Sequence, residues 1–309
     1  MDTSDSQETI LVTGASGLLG SHVMRLLSQK VANRRIIAVS RNKDYESHDA
    51  GVEVIYGDLR ERELWSRLPQ TITSVIHLAA MISWRAEEKY QANIVTDNVL
   101  PVANLIEFSQ RWPNLQQVIY SSSISVYRWN GDWLSESSSA EPVNLYGAAK
   151  LCGENLLGCL QVKNVRTVSL RFSSLYARGQ YEGTVLPIMV NRARQKQDLL
   201  IFGDGKRTQD FLHCEDAARA VLLALERQAS GLYNIGTGTP ISTTQLAETV
   251  SDVFTNGESK IVYQSARAGD DPGVKLDISK ARRELDYEPQ IPLECGLRKL
   301  KQEMENISG

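Results

Sequence analysis

The run TILVTGASGLLG, Thr9 to Gly20, decides how the rest of the chain is read. Its opening residues are apolar or β-branched, as a buried strand requires, and GLLGSHVMRLLSQ continues from Gly17 with helical spacing. Gly14, Gly17 and Gly20 therefore fall on a turn between a strand and a helix. Gly14 permits the tight turn, Gly17 lets the backbone approach a pyrophosphate, and Gly20 lets the helix pack close to the strand. Unpaired N–H groups at the helix start then face an anion. A glycine-rich turn alone is only a turn; the strand before it and the helix after it give it a function. Dinucleotide binding is expected here, with Gly14, Ser16, Gly17 and Leu18 as contacts.

Outward from this turn the pattern repeats. RRIIAVS and VEVIYGD read as strands, RERELWSRL as a helix, SVIHLAA as a strand, and the long stretch to Arg111 as a helix. QQVIYSSS is again a strand, LYGAAKLCGENLLGCL a helix and RTVSLRFSSLY a strand. Strands apolar on both faces and separated by helices predict an α/β fold built on a doubly wound parallel sheet. After about Ala177, Gly, Asp, Arg and Pro become frequent in ARGQYEG, FGDGKRTQD and SARAGDDPG, between helical runs such as EDAARAVLLALE and TTQLAETVSDVF. Residues 1–177 are expected to form mainly the dinucleotide-binding (Rossmann) domain. Residues 178–309 are expected to form mainly a smaller substrate-binding lobe, interleaved with the last strands of the sheet.

With 309 residues the chain can bury a sizeable core, as one large domain or two small ones. A net charge of −3 and a pI near 5.9 give no general attraction to nucleic acid or anionic membrane, so neither is expected as a partner. No apolar run approaches the roughly 18 residues of a membrane span. The polar opening MDTSDSQET lacks the basic and apolar parts of a signal peptide, and a cytoplasmic protein is expected. Cys152, Cys159, Cys214 and Cys295 form no C-x-x-C pair and no Cys/His cluster, so reduced thiols and no metal are expected.

The end of the second strand should meet the adenosine ribose. A carboxylate there would accept from the 2′-OH of NAD, but VSRN offers Ser40 and Arg41. An arginine fork suits a 2′-phosphate, so NADP is the expected cofactor and NAD the alternative. Asp58, with Leu59 after it in YGDLR, is placed to touch the adenine ring. HLAA brings Leu78, Ala79 and Ala80 along the cofactor's central portion.

NLYGAAK, Asn144 to Lys150, places a tyrosine and a lysine four residues apart on one helix face. The helix follows a strand ending in Ser121 to Ser123, and ligands of such sheets lie outside the carboxyl ends of the strands. Hydride transfer to or from a secondary alcohol needs a group that handles the hydroxyl proton. A tyrosine of pKa about 10 becomes such a base if its pKa falls by three units, which requires about 4 kcal/mol. A nearby ammonium and an oxidised nicotinamide both push in that direction. Ser123 would hold the reacting oxygen in line. Tyr146, Lys150 and Ser123 thus read as one working unit.

At these residues the sequence resembles the extended short-chain dehydrogenase/reductases of the NAD-dependent epimerase/dehydratase type. The likeness covers nearly the whole chain and is carried by TGASGLLG, GDL, HLAA, NVLPVANLIE, YSSSISVY, YGAAK, GDGKRTQDF, YNIGTG and RAGD. It implies that Ser123, Tyr146 and Lys150 are the catalytic triad and that Asn98 supports the site. Tyr146 and Lys150 would also touch the cofactor, together with Ser121 and Asn98. It further implies a C-terminal lobe that holds the substrate, often a nucleotide-sugar, and a homodimer formed through the helices of NVLPVANLIEF and YGAAKLCGENLL.

The departures from that family narrow the function. Its 4,6-dehydratases carry a Thr-Asp-Glu run where this chain has Ser123, Ile124 and Ser125, so loss of water is not expected. Ser174 stands where nucleotide-sugar members usually have an asparagine, and Gln209 where they carry a diphosphate-binding arginine. Arg207 could compensate for Gln209, Arg267 still matches a second phosphate-binding arginine, and Trp84 and Arg85 fall in a loop that often reaches the sugar or nicotinamide. Trp129 and Trp133 are candidates for an aromatic wall or for packing. The leading expectation is an NADPH-dependent reductase of a keto-sugar, with the nucleotide-sugar 4-epimerase that retains NAD as the alternative. Reduction of a non-sugar carbonyl and a non-catalytic dinucleotide sensor are further options.

Overall fold

Seven of the β-branched runs assemble into one parallel sheet. The computed structural model describes residues 8–29, 34–47, 51–82, 91–180, 182–266 and 271–306. The sheet strands are β1 (Glu8–Thr13), β2 (Arg34–Ser40), β3 (Val52–Tyr56), β4 (Ser74–His77), β5 (Gln117–Ser123), β6 (Arg166–Phe172) and β7 (Gly231–Ile235). They lie in the order β7-β6-β5-β4-β1-β2-β3, and each neighbouring pair is parallel. The chain winds outward from β1 to β3, then resumes on the other side of β1 with β4. The winding reverses between β1 and β4, where Thr13 is in register with His77. At such a reversal the connections leave in opposite directions and open a crevice beyond the strand ends.

The helices are α1 (Leu18–Gln29), α2 (Arg62–Arg67), α3 (Ala92–Phe108), α4 (Leu145–Leu157), α5 (Val185–Arg194), α6 (Cys214–Glu226), α7 (Thr243–Thr255), α8 (Ser279–Leu285) and α9 (Leu293–Glu305). Successive strand residues point to opposite faces, and both faces are covered. Ile10 and Val12 pack with Val23 and Leu27 of α1 and Val221 and Leu225 of α6. Leu11 packs on the other side with Trp65 of α2, Val102 and Leu105 of α3 and Leu157 of α4. A third core gathers α5, α7 and α9 around Leu199, Ile201 and Phe211.

Two expected elements differ in detail. Of the helix expected up to Arg111, α3 ends at Phe108 and a 3-10 turn, Ser109–Arg111, follows; residues 83–90 lie outside the described residues. The strand QQVIYSSS ends at Ser123 as expected, and Ile124–Val126 form a 3-10 turn after it. RTVSLRFSSLY is divided: β6 ends at Phe172, the Ser173 N–H bonds Ile235 O, and Ser174–Tyr176 pair with Phe211–His213 in a separate ladder. This division turns the chain off the sheet toward the third core. Fully buried Asp210 anchors the crossing, accepting the N–H groups of Thr237 and Gly238 and the Thr237 hydroxyl. Its neighbour Gln209 is thereby fixed over the end of the sheet.

Candidate active site

The glycine turn is built as tightly as its sequence requires. Gly14 has φ +72°, and a Cβ there would meet the Ala79 amide nitrogen at 2.6 Å. Only a residue without a side chain lets the β1 turn lie against the loop after β4. A Cβ on Gly20 would come within 2.0 Å of Gly14 O, so α1 is pressed onto the turn that precedes it. The first turn of α1 then presents its unpaired N–H groups to the crevice.

One cavity of about 920 Å³ begins here and runs the length of the strand ends. Ser16, Ser40, Arg41 and Asn42 line its far end. The buried Ser40 hydroxyl bonds Ser16 Oγ at 3.0 Å and the backbone of Asn42 at 3.1 Å, while Arg41 stays exposed. Gly57 and Leu59 face the cavity, whereas the Asp58 carboxylate turns to Arg60, which binds it at 2.6 to 3.1 Å and also reaches Asp97. The Arg60 hydrogen bonds hold that carboxyl below its ordinary range. Leu78, Ala79 and Ala80 form the middle of the wall. Buried Asn98 stands behind it, donating to Ile94 O at 2.7 Å and Met81 O at 2.8 Å and accepting from Met81 N at 3.2 Å. Its amide holds the loop after β4 in place.

The serine strand and the tyrosine helix meet at the centre. The Asn144 side chain caps α4 by accepting from Gly147 N at 2.8 Å. A Cβ on Gly147 would lie 2.0 Å from Ser125 O, so the helix start is seated on the turn after β5. That contact brings the Tyr146 phenol into hydrogen-bonding reach of Ser123, whose hydroxyl also accepts from Ser125 N at 3.1 Å. Burial pushes the Tyr146 phenol above its ordinary pKa, and the Ser123 bond opposes this. Lys150, one turn on and 1% exposed, donates its Nζ to Ser121 O at 2.6 Å and sits 5.8 Å from the Tyr146 ring centroid. Burial pushes its amine down to about 7, against the opposing charge of Glu154. The protein alone therefore holds a phenol beside an amine whose charge is finely balanced.

At the near end, Trp129, Ser174, Gln209 and Asp271 line the cavity. Gln209 Nε2 donates to Ser174 Oγ at 2.5 Å, and Arg207 donates to Gln209 Oε1 at 2.9 Å and to Asp271 at 3.1 Å. The Arg207 guanidinium lies 5.4 Å from the Trp129 ring centroid. The two positions that depart from the family pattern thus bond each other, and Arg207 joins them. Trp133 is 55% exposed and stands apart from this wall. Trp84, Arg85 and Arg267 lie outside the described residues.

One buried assembly was not anticipated. Glu154 accepts from Ser122 and is bound bidentately by Arg171, and Arg171 donates onward to Tyr127 OH at 2.8 Å. Glu154 lies four residues after Lys150, as Lys150 does after Tyr146, and that spacing was its only signal.

The residues along the cavity fit a dinucleotide: a turn that excludes Cβ atoms for the pyrophosphate, an apolar middle wall, and the Ser123 and Tyr146 hydroxyls at the far reach from Arg41. The match to known proteins agrees. Residues 10–236 match the NAD dependent epimerase/dehydratase family. A dTDP-glucose 4,6-dehydratase from Actinoplanes is 28% identical over 93% of this chain and 95% of its own length. The solved UDP-glucose 4-epimerase of Thermotoga maritima, with UDP-glucose, superposes with a TM-score of 0.85 at 26% identity, covering 97% of this chain and all of that one. A variant of UDP-glucuronic acid 4-epimerase from Bacillus cereus, in complex with NAD and UDP-4-deoxy-4-fluoro-glucuronic acid, also gives 0.85, at 25% identity over 97% and 99% of the chains.

Proposed function

The chain belongs to the NAD dependent epimerase/dehydratase family, and from that premise we propose that it is a nucleotide-sugar 4-epimerase that keeps its NAD between turnovers. The observation that carries this reading is the whole-chain likeness to two UDP-sugar 4-epimerases, joined to a cavity in which Ser123 and Tyr146 line the space between the glycine turn and the Trp129–Gln209 wall, with Lys150 buried against Ser121 O beside them. This replaces the expected keto-sugar reductase by its alternative.

Bound NAD supplies a reversible hydride acceptor. Gly14, Gly17 and the start of α1 hold its pyrophosphate, Leu78, Ala79 and Ala80 its central portion, and Ser16 and Ser40 its ribose end. Tyr146 would take the proton from the sugar's C4 hydroxyl as the C4 hydride leaves. Once the keto-sugar has turned its other face to the acceptor, Tyr146 would return the proton to the C4 oxygen as hydride comes back to C4. Ser123 holds the C4 oxygen through both steps. Lys150 stabilises the phenolate by its charge, offsetting the burial that raises the phenol. The sugar-binding wall is Trp129, Ser174, Gln209 and Arg207, with Trp84 and Arg267 as further candidates from the sequence. Elimination of water is disfavoured because Ile124 and Ser125 line the cavity where a dehydratase needs an acidic pair.

Arg41 favours a second reading, reduction of a keto-sugar with NADPH, since its exposed guanidinium lies on the ribose end of the cavity without a competing carboxylate in the wall. Denaturing the purified protein and identifying the released small molecules by mass spectrometry separates the two. Stoichiometric NAD supports the epimerase; a cofactor-free protein that binds NADPH far ahead of NADH supports the reductase.

The assembly proposed is a homodimer. Helices α3 and α4 pack along each other and turn Val95, Leu100, Ala103 and Ala148 outward, an apolar face suited to a second copy. No described helix is long and apolar enough to cross a membrane, and all four cysteines are unpaired; the cytoplasm is the compartment we propose.

A further inference from the structure

Tyr146, Lys150 and Glu154 occupy successive turns of α4 on one face. The proton-handling reading uses the first two and leaves the third unexplained. Glu154 is 9% exposed and carries a full charge away from water, which costs several kcal/mol unless it is paired. It is paired: Arg171 on β6 binds it through Nε at 2.9 Å and Nη2 at 2.6 Å, and Ser122 donates to it as well. A structural clamp alone would be satisfied by apolar residues of similar volume.

The charges around Lys150 show what the pair adds. On β5, Tyr120 offers its ring face at 4.8 Å, and Ser121 offers a carbonyl at 2.6 Å. Burial pushes the Tyr120 phenol up, so it stays neutral. On β4, His77 stacks on Tyr120 and is pushed down to about 3 by burial, so it carries no charge at neutral pH. On α4 itself Tyr146 is a phenol in the absence of cofactor. Arg171 turns its remaining nitrogen away, to Tyr127 OH at 2.8 Å, and lies 4.8 Å from that ring centroid. Among the described groups Glu154 is the anion left to act on Lys150.

We propose that Glu154 is a positioning residue for the charge of Lys150: clamped by Arg171, its carboxylate keeps the Lys150 amine protonated for its partner Tyr146. This rests on reading Tyr146 and Lys150 as the proton-handling pair. Arg171 fixes the carboxylate against the helix, so the field at Lys150 does not vary as ligands enter.

The test reads Lys150 directly and needs no sugar. Protein carrying isotopically labelled lysine nitrogen is titrated by NMR, with the Lys150 signal assigned by its loss in Lys150→Arg. In Glu154→Gln the midpoint falls by roughly one pH unit, about a tenfold loss of ammonium above it. In Glu154→Gln/Arg171→Met it falls less, because no unpaired guanidinium is left to oppose Lys150, and this variant carries the test if the single one does not fold. A midpoint unchanged from the parent in a folded variant, with only the melting temperature lowered, overturns the proposal and leaves the pair a structural clamp. A shifted midpoint in a protein that fails to epimerise UDP-glucose or UDP-glucuronic acid sustains this inference while removing the 4-epimerase reading.

Discussion

The Lys150 ammonium group donates to the backbone carbonyl of Ser121 at 2.6 Å. This bond ties the helix that carries the tyrosine to the strand that carries the serines. It also spends one of the three donors of the amine. Lys150 is therefore held in place before any ligand arrives.

Removing the Tyr146 hydroxyl tests its assignment. Tyr146→Phe is expected to lower turnover by about a thousandfold, the usual weight of a positioned acid or base. Binding of NAD, measured by calorimetry, should change little. Equal losses in both would mean that Tyr146 holds the cofactor and does not handle the proton.

The depressed pKa of Lys150 has a consequence for stability. Its amine titrates at about 7 in the folded protein and near 10.5 as an ordinary lysine. Between those values the unfolded chain holds more protons, so stability rises with pH across this window and falls as pH drops toward 7. The contribution approaches about 1.4 kcal/mol per pH unit. Thermal denaturation of cofactor-free protein should show that slope, and Lys150→Met should flatten it.

Gly20→Ala places a methyl group 2.0 Å from Gly14 O. The helix start must move away from the turn, at a cost of about 1–3 kcal/mol. Both the melting temperature and the affinity for NAD are expected to fall. A variant with parental affinity would show that the turn does not depend on close packing of α1.

Arg41 reports on the ribose end. If the protein works with NAD, Arg41→Ala should leave NAD affinity within about threefold, since no charge-assisted bond is lost. NADPH affinity should fall by about 10- to 100-fold, the weight of one such bond to a phosphate. Equilibrium titration with each cofactor measures both.

The parts of this site legible in the sequence are those built from neighbours in the chain. TGASGLLG announced the β1–α1 turn because strand, glycines and helix are contiguous, and Tyr146 and Lys150 announced a shared face because helical spacing is local. The parallel sheet followed from strands apolar on both faces. What sequence could not supply were partners distant along the chain. Arg171 lies 17 residues from Glu154, and each alone reads as a solvated charge. Asp271 lies 64 residues from Arg207. The break after Ser173 was hidden because RTVSLRFSSLY is continuous in strand propensity, and only the switch of Ser174–Tyr176 to pairing with Phe211–His213 divides it. The preference for NADP drawn from VSRN was likewise a local reading, made without the relatives that bind NAD.

The central claim, that hydride leaves and returns to the same sugar carbon, is tested most directly with UDP-glucose carrying deuterium at C4. Incubated with the protein and no added cofactor, it should give its C4 epimer with the deuterium retained, by NMR and mass spectrometry. Absence of the epimer, or reaction only when NADPH is supplied with a keto-sugar, would contradict the account.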